Sequence, residues 1–584
     1  MKHSKIVVIT CLLAFLSCKT TKENKALTTA KKNKMKNNFI KSFCLLTLFF
    51  GVLNSCNTAK SSSTVSQKGT PTVKPNIIYI MADDLTTQAI SAYGGIYKDI
   101  APTPNIDKVA KEGMLFQDVL VTNSICGPSR AAILTGNYSN LNGYYKNESG
   151  GKFNSEQWTF PQEFQKQGYK TGLFGKWHLG TEPVGFDSFK YHNSAGQQGH
   201  YWNPLFNENG IDVKEKGYAT NLSTDFALSW LDSTKTSKEP FLMILQYKAP
   251  HRPWEPDTKY ETLWDDIEMP YPVTFNDTYQ GRELTAGDTE MTMEYFSRRD
   301  MKLERPKDLK KGRESIKWDF YGAKPGEIVQ PDGMSNEEGK KWRYQNYIKD
   351  YLACVKSVDD NVGRVLDYLK ENNLEENTII VVTSDQGFYL GDHGFFDKRF
   401  IYEESLRMPF MVKYPGKIKA GSVNEDIITN IDFAPTLLEL AGISTTQKMQ
   451  GASFVPVLEG NTPKDWQDGM YYHYYEFPFW HHVQPHYGIR TQKYTLAHFY
   501  YNIDVWELYD LEKDPHQVNN IYNNPNYADV VTELKVKLKN LMIKFEDNKS
   551  LVDFRKITDT DFGRIVDNIN DEESVQQILT KKKN

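Results

Sequence analysis

The sequence predicts an α/β protein: a large, mostly parallel sheet flanked by helices, followed by a smaller C-terminal antiparallel-sheet subdomain. Three observations predict it. Four short, almost continuous apolar runs recur, at 76–82, 169–174, 241–246 and 378–383, the pattern of strands buried on both faces. Helical segments lie between them, and strands alternating with helices imply a parallel sheet covered on both sides. From about Ala441 the pattern changes to short aromatic stretches separated by turn residues, which reads as a small antiparallel sheet.

The elements follow in order. Residues 1–56 read as a lipoprotein-type signal region with one plan used twice. Met1 to Cys18 has Lys2 and Lys5, an apolar run over 6–16, then Leu16-Ser17-Cys18. Met35 to Cys56 has Lys36 and Lys41, an apolar run, then Leu53-Asn54-Ser55-Cys56. Each run is too short for a membrane-spanning helix. Both endings resemble the lipobox of bacterial lipoproteins, in which the cysteine is lipidated. The resemblance implies export, with a lipid anchor as the sole membrane attachment, facing the periplasm or the cell surface. The lack of an acidic run after Cys56 leans toward the periplasm. The repeated plan points to Met35 as the start; a mature chain beginning at Cys18 would contradict that. Residues 57–73, rich in Ser, Thr and Lys, read as a flexible tether.

Residues 74–440 read as the main domain and 441–584 as a C-terminal α+β subdomain. The clearest helix covers 347–369, where Tyr351, Leu352, Val355, Val358, Val362, Val365 and Leu369 recur at helical spacing. Residues 277–339 are charged and without periodicity, and read as an insertion over the surface that frames a pocket. Stretches 487–501 and 504–511 carry the strands of the second sheet. A helix over 529–545 and a polar tail with solvated Lys581, Lys582 and Lys583 complete the chain.

Composition removes some functions. Lys and Arg total 70 against 74 Asp and Glu, for a net charge of −4 over 584 residues, which excludes a broad basic nucleic-acid surface. Only Cys126 and Cys354 lie beyond the leader region, too few for a disulfide framework. Cys354 falls on the apolar face of the 347–369 helix and reads as a small core residue.

Each predicted strand ends at once in polar, chemically capable residues. They are Asp83-Asp84, then Gly175-Lys176-Trp177-His178-Leu179-Gly180, Lys248-Ala249-Pro250-His251, and Ser384-Asp385-Gln386-Gly387. In open α/β sheets the ligand crevice lies beyond the carboxyl ends of the strands, so four segments converge on one crevice. Two adjacent carboxylates after a buried strand repel each other unless a cation lies between them.

One further motif is Ser124-Ile125-Cys126-Gly127-Pro128-Ser129-Arg130, continuing to Leu134-Thr135-Gly136. Cys-x-Pro-x-Arg followed by Leu-Thr-Gly resembles the signature of type I, formylglycine-dependent sulfatases. With the strand-end motifs the resemblance covers nearly the whole chain after Lys74. It implies the alkaline-phosphatase-like fold and a catalytic sulfatase domain over 74–440. It also implies oxidation of Cys126 to formylglycine by a formylglycine-generating or anaerobic sulfatase-maturating enzyme. Asp83, Asp84, Asp385 and Gln386 match the metal ligands, with Cys126 reaching the same ion. Three carboxylates and an amide are hard oxygen donors suited to Ca2+. Many relatives carry Asn or His where this chain has Gln386; the amide keeps an oxygen donor.

The resemblance also assigns roles. Arg130 holds the formylglycine hydrate, Lys176 binds sulfate or that hydrate, and His178 takes a proton from it. His251 contacts the ester oxygen as general acid, and Lys398, in Gly394-Phe395-Phe396-Asp397-Lys398, binds sulfate. His393 and Arg399 are structural or substrate-facing. The aromatic stretch 471–487 carries His473, His481, His482 and His486 in no recognisable zinc spacing; His482 and His486 are expected to touch a sugar. The expected substrate is a sulfated polysaccharide or its oligosaccharides, of marine algal type (ulvan, carrageenan or fucoidan). The alternatives are a glycosaminoglycan carrying N-acetylglucosamine-6-sulfate, a phosphomonoester or phosphonate, or a glycan-binding lipoprotein with a dead site.

Overall fold

The apolar run Asn76–Ala82 forms strand β1, buried along its whole length. Its pleat sends alternate side chains to opposite faces. Ile77, Tyr79 and Met81 join one core cluster, and Ile78 and Ile80 the other. The computed structural model describes residues 74–147, 153–296, 303–304, 328–478 and 481–559. The expected signal region and tether, and the terminal lysines, lie outside them.

Among the described residues β1 sits at the centre of an eleven-stranded sheet. It pairs in parallel with β5 (Phe241–Tyr247) and β6 (Thr378–Ser384). Beyond β5 come β3 (Lys170–Gly175) and β4 (Ser188–His192), also parallel. On the other side β7 (Arg407–Lys413) runs antiparallel between β6 and β2 (Met114–Leu120). The four predicted apolar runs are therefore four strands of this sheet, β1, β3, β5 and β6, side by side.

Helices cover both faces. α1 (Cys126–Thr135) and α4 (Phe433–Leu440) lie on the Tyr79 face. α2 (Ala219–Thr234) and α3 (Asn336–Glu371) lie on the Ile80 face. α3 begins before the apolar stripe at 347, because Ser335 and Glu338 form a capping box at its start. The stretch 277–339, expected on the surface, is more deeply set where it is described. Arg282, Ala286, Met291, Met293 and Phe296 are buried, and the Glu290 N–H donates to the His481 carbonyl at 2.7 Å.

The second sheet is antiparallel: β8 (Gly469–Tyr474), β9 (His486–Thr491), β10 (Tyr494–Phe499) and β11 (Val505–Asp510). Helix α5 (Ala528–Lys544) lays Leu534 and Leu538 against Ile489, Leu496 and Leu508 of this sheet. Both sheets fall within the same compact unit. Among the described residues no helix is long and apolar enough to cross a membrane.

Candidate active site

The chain leaves β1 through two carboxylates that point the same way. In an extended strand neighbouring side chains diverge. Here Asp84 adopts a left-handed conformation, φ 64°, which breaks the alternation. The turn is tied down on three sides. The Asp83 N–H donates to the Ala249 carbonyl at 3.2 Å, the Asp84 N–H to Asp385 Oδ1 at 3.2 Å, and the Tyr351 hydroxyl to the Asp84 carbonyl at 2.7 Å. Asp83 and Asp84 are fully buried.

Cys126 opens α1, a helix buried at every position. Each residue of its motif has a physical reason. A Cβ on Gly127 would lie 2.3 Å from Asn147 Oδ1 and 2.4 Å from the Tyr144 ring, so any side chain there would displace both. Pro128 sits in the first turn, where no helical N–H is needed. The Ser129 hydroxyl donates to the Asp385 carbonyl. Arg130 donates through Nε to Asp385 Oδ2 at 2.9 Å, and through Nη1 to the Lys176 carbonyl at 3.0 Å and Gln246 Oε1 at 2.7 Å. Its Nη2 is 3.6 Å from Asp83 Oδ1. Arg130 thus grips the carboxylates and the Lys176 backbone rather than the Cys126 side chain. Burial pushes the Cys126 thiol above its usual range, against the pull of Lys398 and Lys176. An unmodified thiol here is a poor nucleophile.

Two lysines complete the centre. Lys176 Nζ pairs with Asp83 Oδ2, and Lys398 Nζ with Asp84 Oδ1; both lysines are buried. Burial alone would raise the Asp83 pKa. Lys176, then His251, Arg130 and Lys398, reverse this and hold it well below the usual carboxylate range. His251 Nε2 lies 3.8 Å from Asp84 Oδ2, and its Nδ1 is 2.7 Å from the Arg252 carbonyl. Burial and then Lys176 hold both His251 and His178 well below the usual imidazole range.

The residues present fit a divalent cation. Ligand atoms of Asp83, Asp84 and Cys126 lie within 4.8 Å of one another. Within this cluster three buried oxygens have no hydrogen-bond partner among the described residues: Asp83 Oδ1, Asp84 Oδ2 and Gln386 Oε1. Buried polar atoms are rarely left so. The Gln386 amide nitrogen donates to Asp84 Oδ1, which leaves its oxygen as the open donor. Burial and then the Asp83 carboxylate push the Asp385 carboxyl up, to about 7, against the pull of Arg130. The carboxylate and amide oxygens of Asp83, Asp84 and Gln386 are donors that suit a hard cation.

The structure therefore brings Asp83, Asp84, Cys126, Arg130, Lys176, His251, Asp385, Gln386 and Lys398 into one crevice. His178 stands at the end of the segment that follows Lys176, with φ 56°. Other expected contacts differ. His486 is fully buried; its Nε2 accepts from the Ile401 N–H at 3.1 Å and its Nδ1 is 2.8 Å from the Gln484 carbonyl. Both ring nitrogens face protein backbone, so it is not a sugar contact. His482 remains partly exposed, 3.5 Å from Asp288 Oδ2. Arg399, φ 104°, faces inward to Asp397 at 3.1 Å, and to the Tyr474 hydroxyl and Glu476 at 3.0 Å each. His393 is buried against Asp277 at 2.6 Å.

Sequence reasoning missed a second polar cluster beside Lys398. Arg252 pairs with Asp397, and its Nη1 lies 2.8 Å from His481 Nε2, itself 3.2 Å from Asp397 Oδ2. Asn147 was also missed; its amide nitrogen lies 3.9 Å from Cys126 Sγ. Its own N–H donates to Glu476 at 2.8 Å. No short motif marks these residues. A signal was present in Asp397-Lys398-Arg399, where charged neighbours flank a predicted sulfate ligand.

A central sheet wrapped by helices, with a buried carboxylate cluster, lysines and a helix-opening cysteine at its strand ends, defines an alkaline-phosphatase-like hydrolase with a site for a metal ion. The chain belongs to the sulfatase family. The Sulfatase family model matches residues 75–443. A second, described as N-sulphoglucosamine sulphohydrolase, C-terminal, matches 391–544. The chain is 44% identical over 495 residues to an N-acetylglucosamine-6-O-sulfatase of Bacteroides thetaiotaomicron, covering 82% of this chain and 88% of that protein. It is 26% identical to an ulvan-active sulfatase of Formosa agariphila, covering 83% and 84%. A solved structure described as a complex with its substrate D-glucosamine-2-N,6-O-disulfate superposes with a TM-score of 0.74 at 41% identity, covering 82% of this chain and 99% of that one. The protein is a sulfuric ester hydrolase acting on sulfated glycans.

Proposed function

We propose that this sulfatase removes the 6-O-sulfate of N-acetylglucosamine-type residues in glycosaminoglycan-like chains. The observation that carries this reading is the 44% identity to an N-acetylglucosamine-6-O-sulfatase across 82% of the chain. It favours the glycosaminoglycan alternative over the algal substrate expected first, whose ulvan-active relative is 26% identical.

Asp83, Asp84, Asp385 and Gln386 would hold Ca2+, with the side chain at 126 as a further ligand. Conversion of Cys126 to formylglycine by a maturation enzyme, with the cation bound, supplies a hydrated aldehyde oxygen as nucleophile and a Lewis acid. The protein does the rest. Its three carboxylates, Asp83, Asp84 and Asp385, are balanced by three cations, Arg130, Lys176 and Lys398. With a divalent ion held there the pocket would be net positive, which would favour an anionic sulfate. Lys176 and Lys398 lie where they can neutralise charge developing on sulfate oxygens. Arg130 keeps Asp385 and Asp83 aimed. Once sulfate has been transferred, His178, neutral in this buried setting, would take the proton of the nucleophile's remaining hydroxyl as the C–O bond to sulfate breaks, so that sulfate leaves and the aldehyde is restored. His251 gives a proton to the sugar oxygen as its bond to sulfur breaks, and the negative charge of the bound sulfate ester favours the protonated imidazole this needs. Arg252, Asp397 and His481 offer a polar wall to sugar hydroxyls, with His482 at its rim.

The test is sulfate release by the purified, matured protein from N-acetylglucosamine-6-sulfate. Its 3-sulfate isomer and desalted ulvan oligosaccharides are run beside it. Release from the 6-sulfate alone supports the reading; release from ulvan oligosaccharides alone overturns it. We further propose export as a lipoprotein, supported by the two Lys-flanked apolar runs that end at Cys18 and Cys56. Palmitate labelling lost in Cys56→Ala is the expected result, and labelling that depends on Cys18 would contradict Met35 as the start.

A further inference from the structure

The segment following β4 meets the His178 loop through two adjacent glutamines. Gln198 is nearly fully buried, and its amide nitrogen lies 2.8 Å from Nε2 and 3.3 Å from Nδ1 of His178. Gln197 Oε1 accepts from the Leu179 and Gly180 N–H groups at 3.1 and 2.8 Å, and its Nε2 donates to the Thr181 carbonyl at 3.1 Å. One glutamine thus holds the imidazole and the other the backbone just after it.

The clamp itself is anchored. The Gly199 N–H donates to the Ser194 carbonyl at 3.0 Å and the Gln198 N–H to the Ala195 carbonyl at 3.2 Å. Gly199, φ 76°, rests on the buried His192 at the end of β4, where a Cβ would come within 2.5 Å of the imidazole. His192 is stacked on Phe206 at 4.5 Å. The rigid sheet therefore reaches His178 through β4, His192, Gly199 and Gln198. His178 needs such support, because a non-glycine residue at φ 56° sits in a sparsely populated conformation.

We propose that Gln198 is a positioning residue for His178, fixing the orientation of its imidazole toward the reacting centre, with Gln197 holding the loop that carries it. The proposal rests on the reading of His178 as the proton acceptor. With the Gln198 amide turned so that its otherwise unpartnered Oε1 faces the ring, it accepts from Nε2–H of His178 and leaves the Nδ1 lone pair to take the proton. The depression of the His178 pKa by burial agrees with a neutral ring.

Proton transfer depends steeply on placement, and a misplacement of about 1 Å costs on the order of 100-fold. Gln198→Leu keeps the volume and removes the hydrogen bond. Its kcat for sulfate release from N-acetylglucosamine-6-sulfate should fall by about 10- to 100-fold, with KM within about twofold of wild type, since binding does not depend on the ring's orientation. Gln198→Glu, which keeps a polar group against the ring, should retain more activity than Gln198→Leu. Crystal structures give a readout independent of turnover: one His178 orientation in wild type, a displaced or split ring in Gln198→Leu. An unmoved ring, or an unchanged kcat in Gln198→Leu, would overturn the proposal. No turnover of this sugar by wild type would count against the substrate reading alone, and the crystal comparison would still decide the clamp.

Discussion

Arg130 is where removal of one side chain should cost most. Its guanidinium is buried and donates to Asp385 Oδ2, the Lys176 carbonyl and Gln246 Oε1, at 2.9, 3.0 and 2.7 Å. Arg130→Met keeps much of the stem and deletes every donor. Breaking a buried ion pair from one side costs about 3–5 kcal/mol, because the other charge stays buried. The two neutral acceptors left open add about 1–3 kcal/mol each. Protonation of Asp385, already pushed up by burial and Asp83, and some water entry will offset part of this, so a net loss of about 4 kcal/mol is expected. Arg130→Lys restores a charge but not the fork that spans three acceptors, and should recover about half or less. Urea titration followed by tryptophan fluorescence reads the change. A loss below about 1 kcal/mol for Arg130→Met, typical of an exposed pair, would refute the view that Arg130 is the clamp of the carboxylate cluster.

Two further predictions test other parts of the molecule. Calcium added to chelator-treated protein should raise its unfolding free energy by about 2.7 kcal/mol at one hundred times Kd, and Asp84→Asn should weaken that response; identical melting with and without calcium would contradict the proposed ligand set. Burial lowers the His486 pKa to about 3 from its usual 6.5, so the unfolded chain binds the extra proton and stability falls as pH drops through that window. Between about pH 7 and about pH 5 His486 alone should cost about 2 kcal/mol. His486→Gln should show a correspondingly smaller loss in paired urea titrations, and an unchanged pH dependence would contradict a buried, neutral imidazole.

Much of this architecture was legible because its signals are local. A strand buried on both faces must be apolar along its length, so β1, β3, β5 and β6 announce themselves, and the residues just past their ends had to meet. The start of α3 was equally legible in Ser335 and Glu338 but was overshadowed by the apolar stripe that begins later. The histidine-rich stretch was not legible. His486 pairs across from Tyr474 in the β8–β9 ladder and is buried there, whereas His481 and His482 precede β9 with positive φ. Spacing alone does not say which histidines fall in the ladder and which outside it. Gln198, Asn147 and the Arg252–Asp397–His481 cluster were invisible for another reason. Each acts through contacts between separate segments that no short motif joins.

The most direct test of the central claim is peptide mass spectrometry across position 126 in active protein from its native host. The account predicts formylglycine at 126 in the fraction that releases sulfate, because burial makes the unmodified thiol a poor nucleophile. An unmodified cysteine in protein that still releases sulfate at full rate would contradict it.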